Sequence, residues 1–376
     1  MNFTKRAAMA ALLALSAGTA QAQTRWNMAT AYADGNFHTR NIRAFIEDVE
    51  KSTNGALAIQ LHSNATLLTM PNIKRGVQSG QVQMGEVLLS VHGNEDPFFE
   101  VDGVPFLADT WEATAALNNA ADPFVRARLE RQGLTPLYMV PWPSQGFYTR
   151  TEIKSVEDLR GQRFRSYNVL TTRMAELMGA APVTVQVAEI PQAFATGVIA
   201  AMFTSAQTGV DTAAWDYARV FTDVGGMRAK NYVFANTRAF RALDEGTRNA
   251  VLAAAQRLAP SGALEAIDAA ADCAFAASAR HLGPLPARLV WSRPAAVVVF
   301  SGLDGLAEGE RAVLLRPTRE LLARHATRER IATGRVGLHD HELNALPDTA
   351  QEIAFLALHI APPPSPPEGC VAPSMN

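Results

Sequence analysis

The chain has 376 residues, 48% of them hydrophobic and 19% charged, a globular composition with enough apolar material for two cores. A formal net charge of -2 supplies no overall basic field for nucleic acid, and no acidic run marks a solvating tail. The arginine-rich cation set, with only five lysines among 34 Lys+Arg, is attributed to GC-rich coding and excludes nothing.

The chain opens on "MNFTKRAAMAALLALSAGTAQAQ", with Lys5 and Arg6 ahead of an apolar run from Ala7 to about Leu15. Ala20-Gln21-Ala22 fits the A-x-A cleavage pattern, so residues 1–22 are expected to be a signal peptide and Gln23 the first residue of a soluble periplasmic protein. The run is shorter than the ~20 residues that a membrane span requires. No lipobox cysteine follows, because the two cysteines are Cys273 and Cys370, far apart in an atypical region and assigned no disulfide.

"RWNMATA" at 25–31 reads as a strand, and "FHTRNIRAFIEDVEKSTNG" places Ile42, Phe45, Ile46 and Val49 on one helical face. "ALAIQLH" alternates as a second strand, "MPNIKRGVQSG" is a short helix between Pro71 and Gly80, and "VQMGEVLLS" is a third strand. This βαβαβ order predicts an α/β unit with a mostly parallel sheet. "LTPLYMVPW" and "GFYTRTE" read as hinge strands into a second α/β unit, in which helix and strand alternate from "SVEDLRGQRFRSYN" to "AAMFTS". "NYVFANTRAF" is a further strand and "DEGTRNAVLAAAQRLA" an amphipathic helix behind Asp244. The expected division is 23–140 for lobe 1, 141–260 for lobe 2 with the hinge strands, and 261–376 for an atypical, partly disordered C-terminal region. Two such lobes joined by crossing strands make a cleft suited to a small ligand.

Beyond Pro260 the periodicity fails, and the end "IAPPPSPPEGCVAPSMN" reads as a Pro-rich tail. A lineage-specific extension and a shifted reading frame both produce Arg-, Ala- and Pro-rich text of this kind. His339 to Glu342, "HDHE", has the composition of a metal site, but H-x-H lacks a third ligand at a recognised spacing and reads as a solvated turn. No P-loop, G-x-S-x-G, C-x-x-C or dinucleotide fingerprint is present, and no nucleophile is paired with a base. Neither a catalytic residue nor a metal or cofactor is therefore assigned.

"EDLRGQRFRSYN" at 157–168 carries three arginines, Arg160, Arg163 and Arg165. Alternation sets Arg163 and Arg165 on the face opposite Phe164. A strand covered on one side would hide Phe164 and expose both arginines. The alternative is that one of them points inward to hold an anion.

Together, "FIEDVEKSTNGALAIQLHSNATLL", "IKRGVQSGQVQMGEV", "VEDLRGQRFRSYN", "GAAPVTVQVAEIPQAFATGVIAAMFTS" and "NYVFANTRAFRALD" resemble the periplasmic solute-binding proteins of TRAP transporters, the DctP-type family, from about Trp26 to Ala259. The resemblance implies a two-lobed periplasmic-binding-protein fold that captures a small organic acid and delivers it to TRAP permease membrane subunits. A monomer is expected, with no enzyme activity. The alternatives are an ABC-type or sensor-type binding protein and, further off, an exported enzyme.

In that family the last arginine of the "DLKGLKIR" strand binds the ligand carboxylate, and Arg165 takes this place in "DLRGQRFR". The resemblance thus points Arg165 into the cleft and leaves Arg160 and Arg163 in solvent. Sialic-acid-type members carry a second arginine where this chain has Gln145, which brings hydrogen bonds but no charge. Where the family has "VDGQENP" this chain has "IAAMFTS", with Thr204 in the place of the contacting asparagine and Ser205 beside it. Trp215 reads equally as an apolar wall of the cleft, together with Phe203, and as a core tryptophan behind the hinge, with Asn168, Tyr32, Asn64 and Glu86 as further cleft candidates. With one clamp arginine, a monocarboxylate fits better than a dicarboxylate.

Overall fold

The computed structural model describes residues 23–105, 107–108 and 110–258. The signal-peptide reading, the region after 260, Cys273, Cys370 and the His339–Glu342 run lie outside the described residues.

Two five-stranded sheets organise the chain. The first begins with β1 (Thr24–Ala29), which pairs in parallel with β2 (Leu57–His62) and with β3 (Met84–Leu88). Helix α1 (Phe37–Ser52) connects β1 to β2, capped by the Asn36 side chain accepting from His38 N. Its residues Ile42, Phe45, Ile46 and Val49 are all buried, the face that their spacing predicts. Helix α2 (Met70–Ser79) carries Pro71 in its first turn and is closed by Gly80, which adopts the left-handed φ of +81° that stops a helix. It lies so close to β3 that a Cβ on Gly85 would fall 2.5 Å from Ile73 Cγ2. Two short 3₁₀ segments, Leu89–His92 and Pro97–Gly103, then lead to α3 (Trp111–Arg131) and to β4 (Leu134–Pro141) at the sheet edge.

The chain then crosses over. β5 (Gln145–Thr149) lies in a second sheet with β6 (Arg163–Ser166), β7 (Ala181–Thr184), β8 (Ala201–Ser205) and β9 (Val220–Asp223), in the order β7-β6-β8-β5-β9. Helices α4 (Val169–Leu177), α5 (Ile190–Ala195) and α6 (Ala206–Asp211) join these strands. One face of the sheet buries Phe147, Phe164 and Phe203, the other Tyr148, Met202 and Phe221. This is the strand alternation expected of a sheet covered on both sides.

The return crossing departs from the expected division. β10 (Lys230–Asn236) runs antiparallel between β3 and β4 of the first sheet, followed by α7 (Thr237–Ala242) and α8 (Glu245–Leu258). Val251, Ala254 and Ala255 of α8 join the first core, and Arg257 Nε reaches Asp48 of α1 at 2.8 Å. The second sheet is therefore complete by Asp223, and residues 230–258 do not continue it as the 141–260 boundary assumed. β10 is buried along its whole length, and a strand of that kind carries no sequence mark of which sheet it enters. The two crossing segments lie side by side, with Trp142 N donating to Ala229 O at 2.7 Å and Gly226 N to Gln145 O at 3.0 Å. Among the described residues no helix is long and apolar enough to cross a membrane.

Candidate functional site

A cavity of about 520 Å³, counting the solvent at its mouth, opens between the two sheets beside the crossings. The first sheet and its helices contribute Tyr32, Met70, Leu88 and Val91; Trp142 and Gln145 come from the first crossing. The second sheet side contributes Arg165, Tyr167, Gln186, Val187, Thr204, Ser205 and Thr208.

Arg165 is the sole lysine or arginine among these lining residues. β6 explains its position: Phe164 turns into the core at 0% exposure, so Arg165 turns to the opposite face, where it is only 4% exposed. Arg163, on the same face by parity, lies one residue pair nearer the strand start and is exposed, as is Arg160. Arg165 Nε donates to Val185 O at 3.0 Å, and the guanidinium stacks over the Tyr167 ring with Cζ 5.0 Å from its centroid. Those two contacts fix the plane and leave both terminal nitrogens for the cavity. Burial pulls its pKa down to about 10, so the group stays cationic at neutral pH. A planar, immobilised fork of donors matches the two oxygens of a carboxylate.

Gln145 opens β5, where it pairs with Ser205 of β8, while Arg165 pairs with Met202 on the other side of β8. Tyr167 Oη donates to Gln145 Oε1 at 2.9 Å. Burial pushes the Tyr167 hydroxyl up to about 12, so it remains a donor. Ser205 Oγ caps α6 by accepting from Thr208 N at 3.1 Å.

Behind the aromatic wall lies a buried polar network. Glu86, 1% exposed, accepts from Thr30 Oγ1 at 2.6 Å and from Asn231 Nδ2 at 2.6 Å. Asn231 Oδ1 in turn accepts from Trp142 Nε1 at 2.7 Å, which sets the indole ring against the cavity. His38 Nδ1 sits 3.2 Å from Glu86 Oε1 without hydrogen-bond alignment, and its ring packs against Trp142 with centroids 4.5 Å apart. Burial holds His38 well below its usual pKa, hence neutral, and raises Glu86 to about 7. A carboxyl raised in the folded state from 4.5 to about 7 is ionised first in the unfolded chain. Its contribution to stability is thus full below pH 4.5 and is lost as pH rises to about 7, at ~1.4 kcal/mol per pH unit. The stability of the wild type relative to Glu86→Gln is expected to fall across that window and be flat above it, read by urea unfolding at a series of pH values. A difference that stays constant with pH would show that Glu86 ionises normally.

Hydrogen bonds among the described residues also run from lobe to lobe across the cleft. Asn36 Nδ2 donates to Asp211 Oδ2 at 2.6 Å, Asn168 Nδ2 to Ser90 Oγ at 3.0 Å, and Leu170 N to Glu100 Oε1 at 3.2 Å.

Of the residues expected at the cleft, Arg165, Gln145, Thr204, Ser205 and Tyr32 line the cavity. The other five do not. Phe203 alternates away from Thr204 and packs on Phe147 at 4.9 Å between centroids. Trp215 sits in a 3₁₀ turn against the opposite core of the second sheet, and Trp142 forms the wall in its place. Asn168 caps α4 and ties it to Ser90. Asn64 is an exposed turn residue with φ +54°, and Glu86 lies one layer behind the wall. The sequence reading missed Trp142, Tyr167, Gln186, Val187, Thr208, Met70, Leu88 and Val91. A signal existed for Tyr167, since the alternation that carries Arg165 inward carries Tyr167 with it.

Two α/β lobes, paired crossings and a cavity with one buried arginine define a small-molecule binding protein. The family model described as bacterial extracellular solute-binding protein, family 7 (DctP), matches residues 28–276. The chain belongs to that family. The match runs past residue 260, where the periodicity was expected to end. Among solved structures the chain is similar to DctP7, a Bordetella pertussis extracytoplasmic solute receptor binding pyroglutamic acid. The identity is 40%, with 80% of this chain and 95% of that one covered and a TM-score of 0.67. DctP6 of the same organism, likewise described as binding pyroglutamic acid, shows 36% identity, coverage of 81% and 96%, and a TM-score of 0.66. The C4-dicarboxylate-binding periplasmic protein DctP of Rhodobacter capsulatus is 30% identical over 161 residues, 41% of this chain and 47% of its own. The chain spans about half the length of the curated relatives it matches.

Proposed function

We propose that the protein is the periplasmic receptor of a TRAP-type uptake system, capturing a small monocarboxylate of the pyroglutamate class and presenting it to membrane permease subunits without transforming it. The observation that carries this reading is Arg165, the single cation among the lining residues, buried and held in plane with both terminal nitrogens available. One fork neutralises one carboxylate. A second carboxylate would be desolvated without a cationic partner among the lining residues, at a cost of several kcal/mol. A compact ring, by contrast, packs well between apolar and aromatic walls.

The similarity to two receptors described as binding pyroglutamic acid supports the ring acid, and the Rhodobacter relative's C4-dicarboxylates are the competing class. Thermal unfolding with pyroglutamate, succinate and glutarate decides between them. Pyroglutamate at 100 times its Kd is expected to add about 2.7 kcal/mol of stability, with the diacids giving far smaller shifts at equal concentration. Clear preference for a diacid would mean that a second cation reaches the cavity.

A further inference from the structure

Resting on the reading just given, the structure also says what the far end of the ligand must present. Arg165 deals with the charge, and the opposite side of β8 is held by Gln145, which is 4% exposed. A free glutamine amide can turn either its oxygen or its nitrogen to a ligand. Here Tyr167 Oη donates to Oε1 at 2.9 Å, whereas the reverse orientation, with Nε2 donating to Oη, would cost the phenol proton that acceptor. The Tyr167 ring is itself held under the Arg165 guanidinium, so the charge clamp and the amide share one support. What Gln145 offers the cavity is therefore Nε2, a donor with no protein partner among the described residues.

We propose that the amide of Gln145, oriented by Tyr167, is the specificity-determining group of the site, donating Nε2–H to a neutral carbonyl oxygen of the ligand across from its carboxylate. A lactam acid supplies that oxygen from within the ring. A carbocyclic acid of the same size and charge supplies nothing, and once it fills the cavity the donor is cut off from water and unpaired. Sites built to hydrogen-bond a polar group reject analogues lacking it far more strongly than apolar pockets reject a missing methylene. The amide also carries no charge, which suits a carbonyl and not a second carboxylate.

The experiment compares pyroglutamate with cyclopentanecarboxylate by calorimetry on the wild type, Gln145→Leu and Tyr167→Phe. The wild type is expected to favour pyroglutamate at least tenfold. Gln145→Leu should abolish the preference by weakening pyroglutamate alone, with cyclopentanecarboxylate within about threefold of its wild-type affinity. Tyr167→Phe, which frees the amide to turn, should lose part of the preference; it also serves as the test if the leucine variant fails to fold. A preference that survives in these variants, or an equal loss of both acids, overturns the assignment while the carboxylate reading stands. A wild type that binds neither acid overturns both together.

Discussion

Replacing Arg165 with alanine is expected to weaken carboxylate binding by about 2–5 kcal/mol, whereas Arg163→Ala should change it by less than about 0.5 kcal/mol. The two arginines stand two positions apart on one short strand, so the comparison holds backbone and charge type constant and varies only burial. Arg163 is in solvent, where water screens any interaction it makes. Arg165 is buried, anchored through Nε to Val185 O at 3.0 Å and stacked on Tyr167, so its charge-assisted bonds form with little loss of side-chain freedom. Removing it would leave a ligand carboxylate desolvated and unpaired. Arg165→Lys should recover only part of the loss, because an ammonium can replace neither the fork nor the Val185 anchor together with it. Calorimetric titration of pyroglutamate into the four proteins measures this, and equal losses for Arg163→Ala and Arg165→Ala would show that the cavity is not where the charge is read.

The expected loss also separates what was legible in the sequence from what was not. Arg165, Gln145, Thr204 and Ser205 were found through their places in family motifs, each lying in or at the end of a strand whose position the motif fixes. Helices α1 and α2 were legible from physics alone, since Ile42, Phe45, Ile46 and Val49 repeat at helical spacing and Gly80 supplies the left-handed stop, whereas α3 was not read from the sequence. What failed depended on packing between segments far apart in the chain. Trp142 faces the cavity with Nε1 held by Asn231 Oδ1, whereas Trp215 packs from its 3₁₀ turn on a core of the second sheet, and both placements depend on residues distant in the chain. Glu86 lies in a strand aimed at the site, yet Thr30 and Asn231 hold it behind the wall. Phe203 shares its strand face with Ser205, which lines the cavity, so alternation alone does not separate the two, and it is packing on Phe147 that takes Phe203 into the core.

The second large effect concerns the return crossing, where Asp102→Ala is expected to destabilise the protein by about 3–5 kcal/mol. Lys230 opens β10 with its side chain wholly buried, Nζ 3.1 Å from Asp102 Oδ2 and 3.2 Å from Asn118 Oδ1. The same Asp102 oxygen accepts the backbone N–H of Lys230 at 2.6 Å, so one carboxylate secures both the charge and the first backbone donor of the strand. Taking it away strands an ammonium where no water reaches, a cost comparable to much of a domain's net stability of about 5–15 kcal/mol. Asp102→Asn should lose less, because the amide oxygen still accepts from Lys230 N. The double replacement Asp102→Leu with Lys230→Met removes both charges and should recover most of the loss, since buried pairs add little beyond well-packed apolar groups. Urea unfolding of the wild type, the two single variants and the pair measures these values, and an Asp102→Ala variant within about 1 kcal/mol of wild type would mean that Lys230 finds another partner or sheds its proton. The pair matters for binding because Ala229, just before Lys230, accepts from Trp142 N. The ion pair anchors the return segment to the Pro97–Gly103 turn, and the Trp142–Ala229 bond ties to that anchored segment the crossing from which Trp142 and Gln145 line the cavity.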